Sequence, residues 1–182
     1  MVDDGPDSGF AEAAGMQDAF STEPLPSGDP TGGAVVAEHR EDVLHIALAG
    51  DSAAAMADLV ALLRGELVDG VRAVVVEGIE DLVETPLTSV PDVLFRTADA
   101  LVAAQVAVAR AGVPVVVVVR GVVRGAGLWL AIAADVLIAT DDARFRFSPP
   151  SLNSFDGGRG AARLRDLVGA AVAGLLLHAG GE

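Results

Sequence analysis

The chain has 182 residues, enough for one domain with a sizeable core, and 52% of them are apolar. Twenty-six acids against twelve bases, every base an arginine, leave a formal charge of −14. That balance argues against a nucleic-acid binder, whose affinity comes largely from basic side chains neutralising phosphates, and disfavours docking on an anionic membrane. With no Cys, Tyr or Lys, the chain has no disulfide, thiolate metal site, cysteine nucleophile, Schiff-base amine, P-loop lysine or phenol of its own.

Residues 1–33 are rich in Gly, Pro, Ser and acids, with Phe10 and Phe20 as isolated apolar points. Such a segment cannot bury enough surface to offset its ordering entropy, so it reads as a disordered acidic tail, with a short helix around Phe10–Phe20. Its first 30 residues hold seven acids and no base, unlike a secretory signal. The folded domain is expected over residues 34–182. Val43–Ala49 reads as a strand, and Ser52–Leu67 as a helix with Met56, Leu59, Val60, Leu63 and Leu67 on one face and Asp51 or Ser52 as its cap. Arg72–Val76 is a short buried strand and Pro91–Ala111 a long helix. The β-branched run Pro114–Val119 is the pattern of a strand covered on both faces. A glycine-bearing turn then opens an apolar helix, Gly125–Ala134. Strands at Val136–Ala139 and Ala143–Phe147 follow, then a loop and helical segments from Gly160 to His178.

Strands alternating with helices through short connections predict an α/β domain with a parallel sheet. The longest apolar stretches, Val113–Val119 and Leu128–Ala134, fall short of the ~20 residues a membrane span requires, so a soluble, cytoplasmic protein is expected. Ligands of parallel sheets sit beyond the carboxyl ends of the strands, which points to the loops Arg120–Gly127 and Ser148–Gly160. In the first, Gly125, Ala126 and Gly127 open a helix whose free N–H groups suit an oxyanion or a phosphate; alternatively, the glycines only relieve packing against the sheet. In the second, Ser154 and Asp156 flank Phe155. They can serve as hydroxyl donor and carboxylate base on one substrate, or as a local turn and a helix cap. Arg124 and Arg159 stand in the two loops, where a guanidinium pairs with a carboxylate or phosphate or is simply solvated. Trp129 either lines a pocket or packs in the core, with the core favoured. His39, His45 and His178 are too scattered for a metal site, and His45, alternating with apolar neighbours, is expected to face solvent.

From Val113 onward the sequence resembles the crotonase (enoyl-CoA hydratase/isomerase) superfamily. VPVVVVVRGVVRGAGLWLAIAADVLIATDDARFRF parallels its strand, glycine turn, apolar helix, Ala-x-Asp strand and A-x-F hairpin. GGRGAARLRDLVGAAVAGLLLHAGGE parallels its glycine cluster, Arg-Leu pair, LVG and LLL-x-x-GE ending. The resemblance implies a crotonase-like spiral of ββα units lacking most of the usual C-terminal helical region. It also implies an acyl-CoA or acyl-carrier thioester as substrate, no cofactor, and a trimer-based homo- or hetero-oligomer.

The two glutamates of the family's hydratases fall on Trp129 and Pro149 here, which carry no acid–base chemistry. Ser154-Phe155-Asp156-Gly157-Gly158 is instead similar to the loop of the 1,4-dihydroxy-2-naphthoyl-CoA synthases, in which the Ser and Asp act on the substrate. The bicarbonate-holding stretch and C-terminal tyrosine of that branch are missing, and Leu82–Val90 lacks the glycine-bearing turn that holds the family's first oxyanion donor. The resemblance thus implies an enzyme that stabilises an enolate in a C–C bond-forming or cyclising lyase-type reaction rather than hydration, with Asp156 as base, Ser154 as hydrogen-bond partner and the Ala126 N–H as oxyanion donor. Gly125, Gly127, Arg124, Trp129 and Arg159 are the surrounding candidates. A polyketide-type cyclase, a catalytically inactive partner subunit and a plain small-molecule binding module are the alternatives.

Overall fold

The computed structural model of the chain describes residues 34–65, 70–83, 91–147 and 159–180. The expected tail 1–33, with Ser154, Asp156 and Pro149, lies outside them. The first described strand, β1 (Ala34–Arg40), forms an antiparallel hairpin with β2 (Val43–Asp51), Glu41 taking the left-handed conformation of the two-residue turn at φ 55°. The sequence reading missed β1, because AVVAEHR follows directly on a glycine-rich segment and lacks strict alternation.

Strands β3 (Ala73–Glu77), β5 (Val115–Val119) and β7 (Val136–Ala139) extend the sheet in parallel, in the order β1-β2-β3-β5-β7, and the short β4 (Leu82–Val83) pairs with the end of β2. Helix α1 (Ser52–Arg64) follows β2 and is capped by the Asp51 carboxylate, which accepts from the Ala54 N–H at 2.9 Å. The helix was expected to reach Leu67 but stops at Arg64, with Gly65 as its C-cap.

Helix α2 (Pro91–Ala109) packs on α1. Leu44, Ile46 and Leu48 of β2, Val74 and Val76 of β3, and Val115, Val117 and Val119 of β5 meet Met56 and Leu59 of α1 and Leu101, Ala104 and Val108 of α2. The opposite face is covered too: Val75, Glu77, Val118 and His45 are all buried there. This double coverage is why the strands read as continuous apolar runs, and it overturns the expectation for His45, which is only 6% exposed. Alternation on a strand predicts solvent only where one face is wet.

After β5 the chain forms β6 (Val122–Arg124), helix α3 (Gly125–Ala133), β7 and β8 (Arg144–Arg146); β6 and β8 pair in parallel as a separate ribbon. The final helical stretch is two helices, α4 (Gly160–Val168) and α5 (Ala170–Ala179), parted by Gly169 at φ 81°. Among the described residues no helix is long and apolar enough to cross a membrane.

Candidate active site

At the carboxyl end of β5 the chain turns through Arg120 and Gly121, runs along β6, and enters α3 without a linker. Gly125 begins the helix at φ 50°, a conformation that glycine adopts without strain. Arg124 precedes it in an extended conformation, and no side chain caps the helix. The first-turn N–H groups, that of Ala126 among them, have no acceptor within the helix and carry its positive dipole end.

What locks this start in place is backbone against backbone. A Cβ on Gly127 would overlap the carbonyl oxygen of Ile79, the first residue of a 3-10 turn (Ile79–Asp81) that follows β3. Gly125, Ala126 and Gly127 therefore stand where the ends of two adjacent parallel strands, β3 and β5, release the chain. That is the position the sheet architecture assigns to a ligand.

Three charged groups underlie this region, and sequence reasoning assigned a role to none of them. Glu77, the last residue of β3, is 8% exposed and pairs with Arg120 through Nη1 at 2.9 Å. Glu80, in the 3-10 turn, is half-buried, and its Oε2 is buried without a hydrogen-bond partner. Burial lifts its carboxyl above the ordinary glutamate value of 4.5, against hydrogen bonds from its own and the Arg120 N–H and the attraction of Arg120. The signal was present in the sequence: carboxylates at the very end of a β-branched run, Glu77 and Glu80, lie where burial and a strand terminus coincide.

The other predicted residues part company. The Trp129 side chain is 4% exposed and packs edge to face with Phe147 at a centroid distance of 6.1 Å. A Cβ on Gly160 would overlap its ring, so α4 begins flush against the indole. The Trp129 carbonyl accepts from Gln105 Nε2 of α2 at 3.3 Å. Arg159 lies just before α4, at the rim of an open cavity of about 390 Å³ that it lines with Gln105, Asp135, Arg163 and Asp166. Ala133, the last residue of α3, borders the same cavity, so Arg159 is drawn to the opposite end of α3 from Arg124. Arg124 is exposed on β6. No group of His, Asp or Glu among the described residues could hold a metal ion.

The sequence pattern of the enoyl-CoA hydratase/isomerase family matches residues 95–182. No curated protein matches the chain. Among solved structures, a Streptomyces coelicolor protein assigned as an enoyl-CoA hydratase superposes with a TM-score of 0.66 at 28% identity, covering 89% of this chain and 65% of its own. An enoyl-CoA hydratase from Polaromonas gives 0.65 at 25% identity, with coverages of 82% and 64%. A Thermobifida fusca protein assigned to the same activity, solved with acetoacetyl-CoA, gives 0.66 at 22% identity, with coverages of 81% and 69%. The chain thus spans slightly less than two thirds of the first two relatives' length.

Proposed function

From a crotonase fold whose residues 95–182 carry the enoyl-CoA hydratase/isomerase pattern, we propose that the chain acts on an acyl thioester by stabilising its enolate, and that the enolate forms a C–C bond, as in a cyclisation, rather than receiving water. The observation that carries this reading is the uncapped start of α3, held against Ile79 at the carboxyl ends of β3 and β5.

In this reading Asp156 removes the proton α to the thioester carbonyl. The charge moves to the carbonyl oxygen, which accepts from the Ala126 N–H. The Ser154 hydroxyl donates to the same developing enolate; the enolate carbon then adds to a second carbonyl, and the alkoxide formed there takes up the proton that Asp156 removed. A preorganised donor at the point where charge develops is worth roughly 10²–10³ in rate. Water addition is disfavoured because Trp129, at the position of a hydratase glutamate by the family resemblance, is an apolar core side chain.

Enolate formation can be measured without knowing the natural acyl group. The chain is expected to exchange for deuterium in D₂O the α protons of butyryl-CoA, which a simple thioester does not exchange appreciably unaided, read by mass spectrometry, and to leave crotonyl-CoA unhydrated. Asp156→Asn should abolish the exchange while thioester binding persists. Hydration of crotonyl-CoA at an ordinary enzymatic turnover, about 10 s⁻¹, or full exchange by Asp156→Asn, would overturn the reading. The partner-subunit alternative is supported by the same apolar Trp129. It predicts no exchange by the chain alone, and exchange only when a longer crotonase-fold chain is bound.

A further inference from the structure

Glu77 is the last residue of β3, and Arg120 is the first residue beyond β5. The stretches that follow them meet at three points. The Glu77 carboxylate accepts from Arg120 Nη1 at 2.9 Å. The Glu80 carboxylate accepts from the Arg120 N–H. The Ile79 carbonyl oxygen fills the place that a Cβ on Gly127 would need. The last contact seats the first turn of α3, while the other two grip the point at which the chain leaves β5.

That point governs the helix start. Only Arg120 and Gly121 separate β5 from β6, and the three residues of β6 run straight into Gly125. No side chain caps α3, so its first turn takes its direction from its flanks. Gly121, at φ 71°, bends the chain without steric cost but has no side chain to hold the bend. The Arg120 side chain supplies that hold. Its pair with Glu77 is no loose surface contact, because the Glu77 side chain is only 10% exposed. Pairs at such depth are weak as stabilisers, since desolvation offsets their attraction, but a guanidinium on a carboxylate fixes direction.

We propose that Glu77 and Arg120 are positioning residues, whose ion pair aims the start of α3 so that the Ala126 N–H meets the oxygen of the bound thioester. The inference rests on the role proposed above for that N–H. A neutral thioester carbonyl accepts weakly and the developing enolate oxygen strongly, so a misaimed donor lowers rate far more than affinity. A misplacement of about 1 Å at a reacting centre costs roughly 10²-fold.

Two measurements on the full chain test the assignment. One is deuterium uptake by butyryl-CoA together with its Kd from calorimetric titration; the other is the set of backbone amide resonances. Glu77→Gln and Arg120→Gln should each slow exchange at least about tenfold, with Kd held within about twofold. Both should move the Ala126 and Gly127 amide resonances. Because the two side chains act as one pair, the double variant should exchange no more slowly than the slower single variant. Arg120→Lys keeps the charge without the planar fork and should retain part of the rate. It carries the test with Glu77→Gln if Arg120→Gln does not fold. Rates are read well below each unfolding midpoint, where a loss of stability alone leaves them unchanged. Wild-type exchange in folded variants, unmoved Ala126 resonances, additive losses in the double variant, or rate losses matched by weaker binding would overturn this inference and leave the thioester reading standing. A wild-type chain that exchanges nothing would overturn the enolate reading, and this inference with it.

Discussion

Glu80 shows what a single residue in this position costs. Its carboxyl holds a proton more tightly in the folded chain than the ordinary value of 4.5. As pH rises from that value through the raised one, the unfolded chain releases the proton first and stability falls; below about 4.5 both states are protonated and the penalty vanishes. Glu80→Gln keeps the shape and removes the charge. Its thermal or denaturant midpoint should exceed the wild type's at pH 7, where burial penalises the charged carboxylate, and match it near pH 4. A wild-type-like midpoint at pH 7 would mean that Oε2 is satisfied in solution. His45 works in the opposite sense: burial, then Arg40, lower its value below 6.5, so acidification through that window costs stability as the imidazolium is forced into the sheet.

At the scale of elements, the start of α3 is fixed by contacts that leave no room for a side chain. Gly127→Ala must displace either the helix or the 3-10 turn from the Ile79 carbonyl. Overpacking of this kind typically costs about 1–3 kcal/mol, and the Ala126 N–H would move with the helix. The expected outcome is a lowered unfolding midpoint together with loss of deuterium exchange, on the order of 10². Exchange at the wild-type rate in a destabilised Gly127→Ala protein would separate the helix start from the chemistry. The far end of α3 is tied differently. Asp135 accepts the Val115 N–H at 2.9 Å, joining the helix exit to the first residue of β5. The aspartate of the Ala-x-Asp motif is therefore a structural clasp between two parallel strands.

For the whole molecule, the surface is as informative as the core. β7 is an edge strand with Val136, Leu137 and Ile138 at 45%, 41% and 36% exposure, and α4 and α5 expose Leu167, Val172 and Leu175. Apolar tracts of this kind on a strand edge and a helix face mark association surfaces. Sedimentation of the 18.4 kDa chain is expected to show an assembly larger than a monomer, and Val172→Asp with Leu175→Asp should shift it toward the monomer without unfolding it. A wild-type chain that sediments as a monomer at micromolar concentration would count against this expectation.

Local chemistry made much of this protein legible in its sequence. Strands β3 and β5 showed as β-branched runs because both their faces are buried, α1 showed through its Asp51 cap and helical period, and Gly125–Ala126–Gly127 showed because a helix that opens on glycines permits close backbone approach. Separations in space were not legible. Arg124 and Arg159 belong to loops that look equivalent along the chain, yet α3 stands between them. His45 alternates like a surface residue but is buried in the fold. Glu80 is an ordinary loop acid until β2, β6 and α3 close around its turn. The Glu77–Arg120 ion pair exists only because two residues 43 apart in sequence meet at the ends of adjacent strands. Periodicity and capping act over a few residues and are written into them. Burial, charge proximity and register are properties of pairs distant in sequence, and only the folded chain brings those pairs together.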